Sequence, residues 1–547
     1  MKLAAIGASV LWVFGIVALA PGCGSTVVDG GNGQTTTTDC GPMPGAIDCI
    51  NPCTQQMYGP SCIDGAWTCA DPDMSACGDC GPPVGSMDCV DPCNDGFYFP
   101  VCEDGSWICD RGMVCGGCEA EWSMGWGNDG WDQAEAVALG PGGSVAVGAS
   151  FFGSLTFGAA EVTSAGDADV LLLKLDESGQ PLWARSFGGL ERDDIAGLAV
   201  DGEGNVVVAI EFSGVVDFGF GSIDSTAGRT ALLKLGSDGA LLWGQQLAFE
   251  VFIDAEGLAA NAGGTIVLAG SPLGTLHFAG ADLQCTGDHG IFVAELDSDG
   301  DHLWSHCFGG PSYEYVRDVA IYPSGGVLLT GDFRESLPLS TVTLTSAGDY
   351  DGFVASFDDA GELRFAHALG GPGKDLGASI APDGSDGVVV VGAFTGTADL
   401  GGNSLTATNE WDAFLVRFSA TGELNVAQAI IGLSDSYDLW DVAATPAGEI
   451  LIAGQFTGST NGTLETVYSK GSSDIVIAKF NAAGEHIAGC SFGGYNSDDV
   501  ADAAMAPDGR FAIVGRQWSG PEFNLGDGPH EHTTDGDSFV GVFPGEM

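Results

Sequence analysis

From residue 122 onward, short apolar runs rich in Val, Leu, Ile and Phe alternate with clusters of Gly, Asp and Ser, and the whole pattern recurs many times over. Each unit holds one segment such as DDIAGLAVDGEGNVVVAIEFSG (193–214) and, further on, one such as RTALLKLGSDGALLWGQQL (229–247). The first kind begins near Asp132, Asp193, Asp254, Glu314, Asp375, Asp438 and Asp498, which makes seven evenly spaced copies; the seventh copy of the second kind, GDSFVGVFPGEM, stops short. Runs of this length with this β-branched content argue for strands rather than helices. Turns such as DESG, GSDG, DSDG, DDAG and SATG end in Gly, as hairpin loops closed by a left-handed residue require. Each unit therefore reads as four antiparallel strands. Runs such as VVVAI lack a polar alternate, which predicts sheets covered on both faces.

A four-stranded repeat that cannot bury its own faces is a propeller blade, and seven such blades can close a ring. The expected fold is all-β: a seven-bladed β-propeller of four-stranded antiparallel blades. Trp122, Trp183, Trp243, Trp304 and Phe365 recur at the spacing of the repeat, and a seventh step would fall just past the last residue, Met547. The last blade thus lacks its fourth strand. The stretch EWSMGWG (121–127), which resembles LWARSFGG (182–189), is expected to supply it from the other end of the repeat region and remove an exposed sheet edge.

Cysteine changes the picture ahead of residue 119. Of 17 cysteines, thirteen fall between Cys40 and Cys118, in two copies of one small unit that superpose at a constant offset: Cys40/Cys80, Cys49/Cys89, Cys53/Cys93, Cys62/Cys102 and Cys69/Cys109. Cys77 matches either Cys115 or Cys118. Units this short lack a self-sufficient core, so a disulfide framework is expected, with the connectivity open. Zinc is the competing reading of the Cys115-x2-Cys118 pair, but no second such pair and no nearby His accompany it. Before this module, an apolar run from Leu3 to Ala20 and the sequence APGCGS resemble a bacterial lipoprotein signal, with Cys23 as the lipid-modified first residue. A retained transmembrane anchor is the alternative. No Asp follows Cys23, which favours the outer membrane by analogy with enterobacterial sorting. The expected organisation is a signal peptide (1–22), a Gly/Ser/Thr-rich tether (23–38), a cysteine-rich module (39–118) and a propeller (119–547).

The segments GLAVDGEGNVVVA and ALLKLGSDGALLW, with FGG in ARSFGG, SHCFGG and GCSFGG, resemble the bacterial seven-bladed propeller repeats called SBBP repeats. That resemblance implies the fold and a secreted or surface location. It implies no single activity and carries over no catalytic residue.

Charge excludes one class of partner. Sixteen Lys and Arg stand against 74 Asp and Glu, a formal net charge of -58, which repels nucleic acid and favours a soluble monomer. Neither G-x-S-x-G, H-E-x-x-H nor a P-loop occurs. Asp297, Asp299 and Asp301 resemble the start of a calcium loop but sit in a hairpin turn without the later Glu. His530 and His532 share a strand face but have no third ligand, and His302 and His306 would be about 13 Å apart on a strand. Cys285 and Cys307 are expected either as an intrablade disulfide or as two buried thiols. The leading functional expectation is a non-catalytic, lipid-anchored binding or scaffold protein whose ligand face is formed by the turns from strand two to three and from blade to blade. Its acidity suggests cations, basic proteins or a polysaccharide held through calcium. The alternatives are an extracellular glycan lyase or hydrolase using Asp193, Asp194, Asp498 or Asp499, residues that capping of blade-junction turns also explains, and a purely structural envelope component.

Overall fold

The computed structural model describes residues 119–546, apart from 129, 228, 252–254, 279–280, 286–289, 431–439, 458–463, 465–468, 470, 519–522 and 528–535, together with eight short strands between residues 49 and 108. The chain divides into two compact units, Met1–Cys115 and Gly116–Met547. In the first, Cys49–Ile50 pairs with Met57–Tyr58 and Ser61–Ile63 with Ala66–Thr68. The same hairpins recur in the second copy, Cys89–Val90 with Phe97–Tyr98 and Val101–Glu103 with Ser106–Ile108, so the internal duplication holds at the level of backbone pairing.

The second unit is the seven-bladed propeller. Blade 2 illustrates the sheet: Asp194–Val200, Val206–Glu211, Thr230–Leu235 and Leu241–Val251 follow one another as antiparallel neighbours. Val206, Val207, Val208, Ala209 and Ile210 are all fully buried, because one face packs on blade 1 and the other on blade 3. Burying each such aliphatic chain contributes about 1.5–3 kcal/mol, which is why these runs carry no polar alternate. Blade 7 takes Asp498–Met505, Phe511–Gln517 and Asp537–Phe543 from the C-terminal end and Trp122–Trp126 from the start of the unit. In that junction Val542 stands opposite Trp122 and Phe539 opposite Gly125.

The recurring tryptophan explains the recurring turn glycine. The Trp183 Nε1 of blade 1 donates to the Ser237 carbonyl in the turn between the third and fourth strands of blade 2, at 3.0 Å. Its ring lies where a Cβ on Gly239 would stand, 2.8 Å away, and Gly239 has φ +79. Trp122 repeats this on blade 1, donating to Glu177 O at 3.0 Å and covering Gly179. The closing strand therefore both completes the blade 7 sheet and bonds that sheet to blade 1. The FGG motif has a similar cause: a Cβ on Gly188 would overlap the carboxyls of both Asp169 and Asp193, so only Gly leaves room for the two.

Among the described residues, five units contain more than the four expected strands. The connection from second to third strand folds into its own hairpin in blades 1 to 5, for example Ser154–Phe157 with Ala160–Thr163. The hairpins of blades 3 and 5 pair with the outermost strand of the preceding blade, through Val251 with Leu273 and Leu369 with Leu400. Leu155, Phe157 and Val162 turn inward from the first hairpin, an alternation confined to two very short strands.

Two outcomes are expected. Removing residues 1–118 should leave the melting temperature of the propeller nearly unchanged, whereas removing residues 1–127 should lower it by roughly 5–10 °C in differential scanning calorimetry. Gly239→Ala should cost about 2 kcal/mol in denaturant unfolding, because it combines a positive φ with overlap on Trp183.

Candidate functional site

Neighbouring strands run in opposite directions, so the starts of the first and third strands and the ends of the second and fourth meet on one face of the ring. In blades 1, 2, 5 and 7 the acid that opens the first strand holds that face together. Asp193 accepts the Gly189 and Ser213 amides at 2.6 and 3.0 Å, and Asp498 accepts those of Gly494 and Trp518 at 2.8 and 3.0 Å. Asp132 and Asp375 repeat the arrangement. Burial lifts Asp132, Asp193 and Asp375 to about 6 despite these bonds. Asp194 pairs with Arg192 at 2.8 Å and Asp499 with Arg516 at 3.5 Å. The four carboxylates nominated for lyase or hydrolase chemistry are thus engaged by backbone amides or guanidinium groups. Asp254 and Asp438 lie outside the described residues.

Next along the first strand comes a β-bulge, seen in six blades, at Glu135, Ala196, Glu256, Arg317, Ala378 and Ala501. A bulge adds an unpaired residue and re-aims its side chain. Here Glu135, Ala196, Arg317, Ala378 and Ala501 line a central cavity of about 800 Å³.

The residues that follow the bulge form a belt deeper in the cavity: Ala136, Gly197, Gly257, Asp318, Ser379 and Asp502, with Asp441 at the corresponding place in blade 6. In blades 4 to 7 each belt side chain reaches the next blade. Asp318 accepts the Ile380 amide at 2.8 Å, the Ser379 oxygen accepts that of Val442 at 3.2 Å, Asp441 accepts that of Ala503 at 2.7 Å, and Asp502 accepts that of Val137 at 2.7 Å. In blades 2 and 3 glycine allows closer approach: a Cβ on Gly197 would meet Leu258 at 2.7 Å, and one on Gly257 would meet Val319 at 2.6 Å. The three aspartates are half-buried on the cavity wall. Burial, then the Asp441 charge, pushes Asp318 up to about 7. Burial also raises Asp441 and Asp502, whose carboxyls hydrogen-bond to one another, a contact that requires a shared proton.

The upper wall carries different chemistry. Tyr315, Arg317, Asp332, Tyr350 and Lys374 line one side, with Arg317 bound to Asp332 at 2.5 Å. Arg334 and Lys374 each lie 5.7 Å from the Tyr350 ring centre. Across the cavity, Ser150 donates to Glu135 at 2.9 Å, and burial lifts Glu135 to about 7. Arg516, which acts electrostatically on Glu135, sits in the corner formed by Trp131 and Trp518, 4.9 and 4.7 Å from their ring centres. The sequence reading singled out none of these aromatic and cationic residues. Their signal was available in retrospect: few of the chain's 16 cations have a repeat-wide role, and these fall at repeat positions where other units have different residues.

The other nominated residues have local duties. Asp297 accepts the Asp299 and Asp301 amides at 3.0 and 2.9 Å, as Asn481 does for Ala483 and Glu485, so this turn geometry needs no calcium. His306 Nε2 bonds Gly361 O of the next blade at 2.8 Å, while His302 Nε2 bonds Ser305 at 2.8 Å, so both imidazoles have a protein partner. The Cys285 and Cys307 sulfurs lie 1.98 Å apart within blade 3. Among the described residues, no group of three or more His, Cys, Asp or Glu is arranged to hold a metal ion. His530, His532, Cys23, Cys40, Cys53, Cys69, Cys77, Cys80, Cys93, Cys109, Cys115 and Cys118 lie outside the described residues, and Cys49, Cys62, Cys89 and Cys102 are described only in backbone.

No family model and no curated protein matches the chain. Among solved structures it is similar to the WD40 domain of Pan2 from Neurospora crassa (9% identity, 75% of this chain and 88% of that one, TM-score 0.38). It is also similar to Sqt1 from Chaetomium thermophilum (13%, 78% and 98%, TM-score 0.37) and to regucalcin, a calcium-binding protein from Agrobacterium tumefaciens (12%, 64% and 91%, TM-score 0.28). At these identities and scores the likenesses carry no argument about activity or ligand.

The acid groups set a pH dependence of stability. A carboxyl with a native pKa near 7 and an ordinary value of 3.8 keeps a proton in the native state that the unfolded chain has lost, so stability falls as pH rises from about 4 to 7. Asp201, held low by hydrogen bonds from Asn205 and then by Lys234, and Asp383, held low by hydrogen bonds from Ser385 and then by Arg417, have the opposite sign and lose their contribution as the pH falls below about 4. The melting temperature should therefore be higher at pH 5 than at pH 8. Asp502→Ser, which copies the belt residue of blade 5, should keep the acceptor for Val137 and reduce that drop in thermal melts.

Proposed function

We propose that the protein is an exported, lipid-anchored binding module of the bacterial envelope, monomeric and non-catalytic, with its ligand site at the mouth of the propeller cavity. The observation that supports this reading is the upper cavity wall, where Tyr315 and Tyr350 stand among the charged groups of Arg317, Asp332 and Lys374. A concave site with aromatic surface and a few oriented polar groups is what small-ligand recognition requires. Export and anchoring rest on the N-terminal run ending at Cys23 and on the cysteine-rich module that follows. The finer identity of the propeller, as one of the SBBP-type repeat proteins, rests on the GLAVDGEGNVVVA and FGG segments.

One observation favours the enzymatic alternative, at a residue other than the four strand-opening carboxylates. Glu135 lies in the same cavity with its carboxyl lifted to about 7, suited to exchange a proton at neutral pH.

An array of polysaccharides, peptidoglycan fragments and envelope proteins, read for both capture and cleavage, separates the two. The expected result is capture without product, weakened about tenfold or more by Tyr350→Ala. Product formation that disappears in Glu135→Gln would replace the binding reading with a lyase or hydrolase. Absence of capture and of product would remove both.

A further inference from the structure

Five of the chain's 16 cationic residues, Arg192, Arg317, Arg334, Lys374 and Arg516, gather on the face where blade-to-blade connections meet the cavity. In a chain of net charge -58 such clustering calls for a cause. Four of the five are paired with an acid of the same face: Arg192 with Asp194, Arg317 with Asp332, Arg334 with Asp349 and Arg516 with Asp499. The face is therefore polar but locally balanced.

The aromatic rings beside these pairs have a particular arrangement. Trp131 is 52% exposed, and Tyr495, in the connection that leads to Asp498, is 74% exposed. Trp131 and Trp518 meet edge to face at 6.2 Å, with the Arg516 guanidinium 4.9 and 4.7 Å from their centres. Arg516 is further tied to Gln133 at 3.3 Å and to Asp499 at 3.5 Å. The Asn496 amide beside Tyr495 donates to Trp518 O at 2.7 Å. The Trp131–Arg516–Trp518 cluster is thus held in place before any ligand arrives, so little of its side-chain entropy remains to be lost on binding.

Charge selects among ligands. Aromatic faces ordinarily attract cations, but here Arg516 already occupies those of Trp131 and Trp518, and Arg334 and Lys374 flank Tyr350. An incoming cation meets like charge at both places. An incoming polyanion meets the field of the whole chain. An uncharged ring with one apolar C–H face and hydroxyls at its edge meets neither obstacle: the exposed ring surface stacks on it, and the carboxylate–guanidinium pairs hydrogen-bond its hydroxyls.

We infer that the ligand is a neutral glycan chain, lying across the mouth of blade 7 from Tyr495, in the connection from blade 6, to Trp131, in the connection to blade 1, and entering the cavity lined by Glu135 and Tyr350. This rests on the reading of this face as the binding face and adds the ligand class and the blade 7 platform.

The test is titration calorimetry of the full chain with neutral hexasaccharides of glucose and of N-acetylglucosamine, a uronate hexamer and hexalysine. Binding of a neutral hexamer, weakened about tenfold or more in Trp131→Ala and largely retained in Trp131→Phe, is the expected result. Should Trp131→Ala disturb the ring seam, Tyr495→Ala gives the same readout at a more exposed position. Binding of the uronate or the lysine peptide alone overturns the neutral glycan while leaving a binding module in place. Binding of a neutral hexamer that Trp131→Ala and Tyr495→Ala leave unchanged overturns the blade 7 platform. No binding of any of the four overturns the inference, and the broader array then decides whether the face binds anything.

Discussion

Face-to-face packing of one blade on the next is the interaction on which the rest of this molecule depends. No blade has enough polar surface to stand alone: the second and third strands are buried on both sides, and only neighbours cover them. Two sets of directed contacts fix how neighbours meet. Near the outer edge, tryptophan or a histidine two positions further on bonds the next blade's turn, as Trp183 does at Ser237 and His306 at Gly361. At the centre, the belt of three aspartates and Ser379 accepts the next blade's amides in blades 4 to 7. Ring angle and cavity width follow from these two layers, and so does the position of every residue on the mouth.

Much of the architecture was legible because it is repeated. Seven copies of one apolar pattern, a tryptophan at fixed spacing and a missing last strand together lead to the ring and to the role of Trp122. The capping role of Asp193 and Asp498 was also readable, since an acid that opens unit after unit serves the scaffold before it serves chemistry. The short hairpins were not read as strands: SLTF and AEVT show an alternation too brief to distinguish from a turn.

The candidate site was harder for the same reason. Its residues are the ones that break the repeat, and a break in sequence does not say which breaks meet in space. Arg317 and Glu135 occupy equivalent bulges three blades apart, and only the closed ring brings both into one cavity. Arg516 and Trp131 are separated by almost the entire unit, yet the guanidinium lies 4.9 Å from the ring centre. Their contact depends on closure, so no local pattern signals it. Overall acidity gave a misleading emphasis, because a formal charge of -58 says nothing about where the few cations collect.

The ribbon that completes blade 7 is made first and used last. Trp126 pairs with Ser538, so during synthesis it waits until nearly all of the chain has appeared. Until then the nascent arc has two unsatisfied ends, and a second copy at the same stage offers each of them a matching mate. Exchange of this segment between two growing chains is consequently the characteristic way for such a ring to go wrong, and slow, dilute production is the condition that lets each chain find its own end.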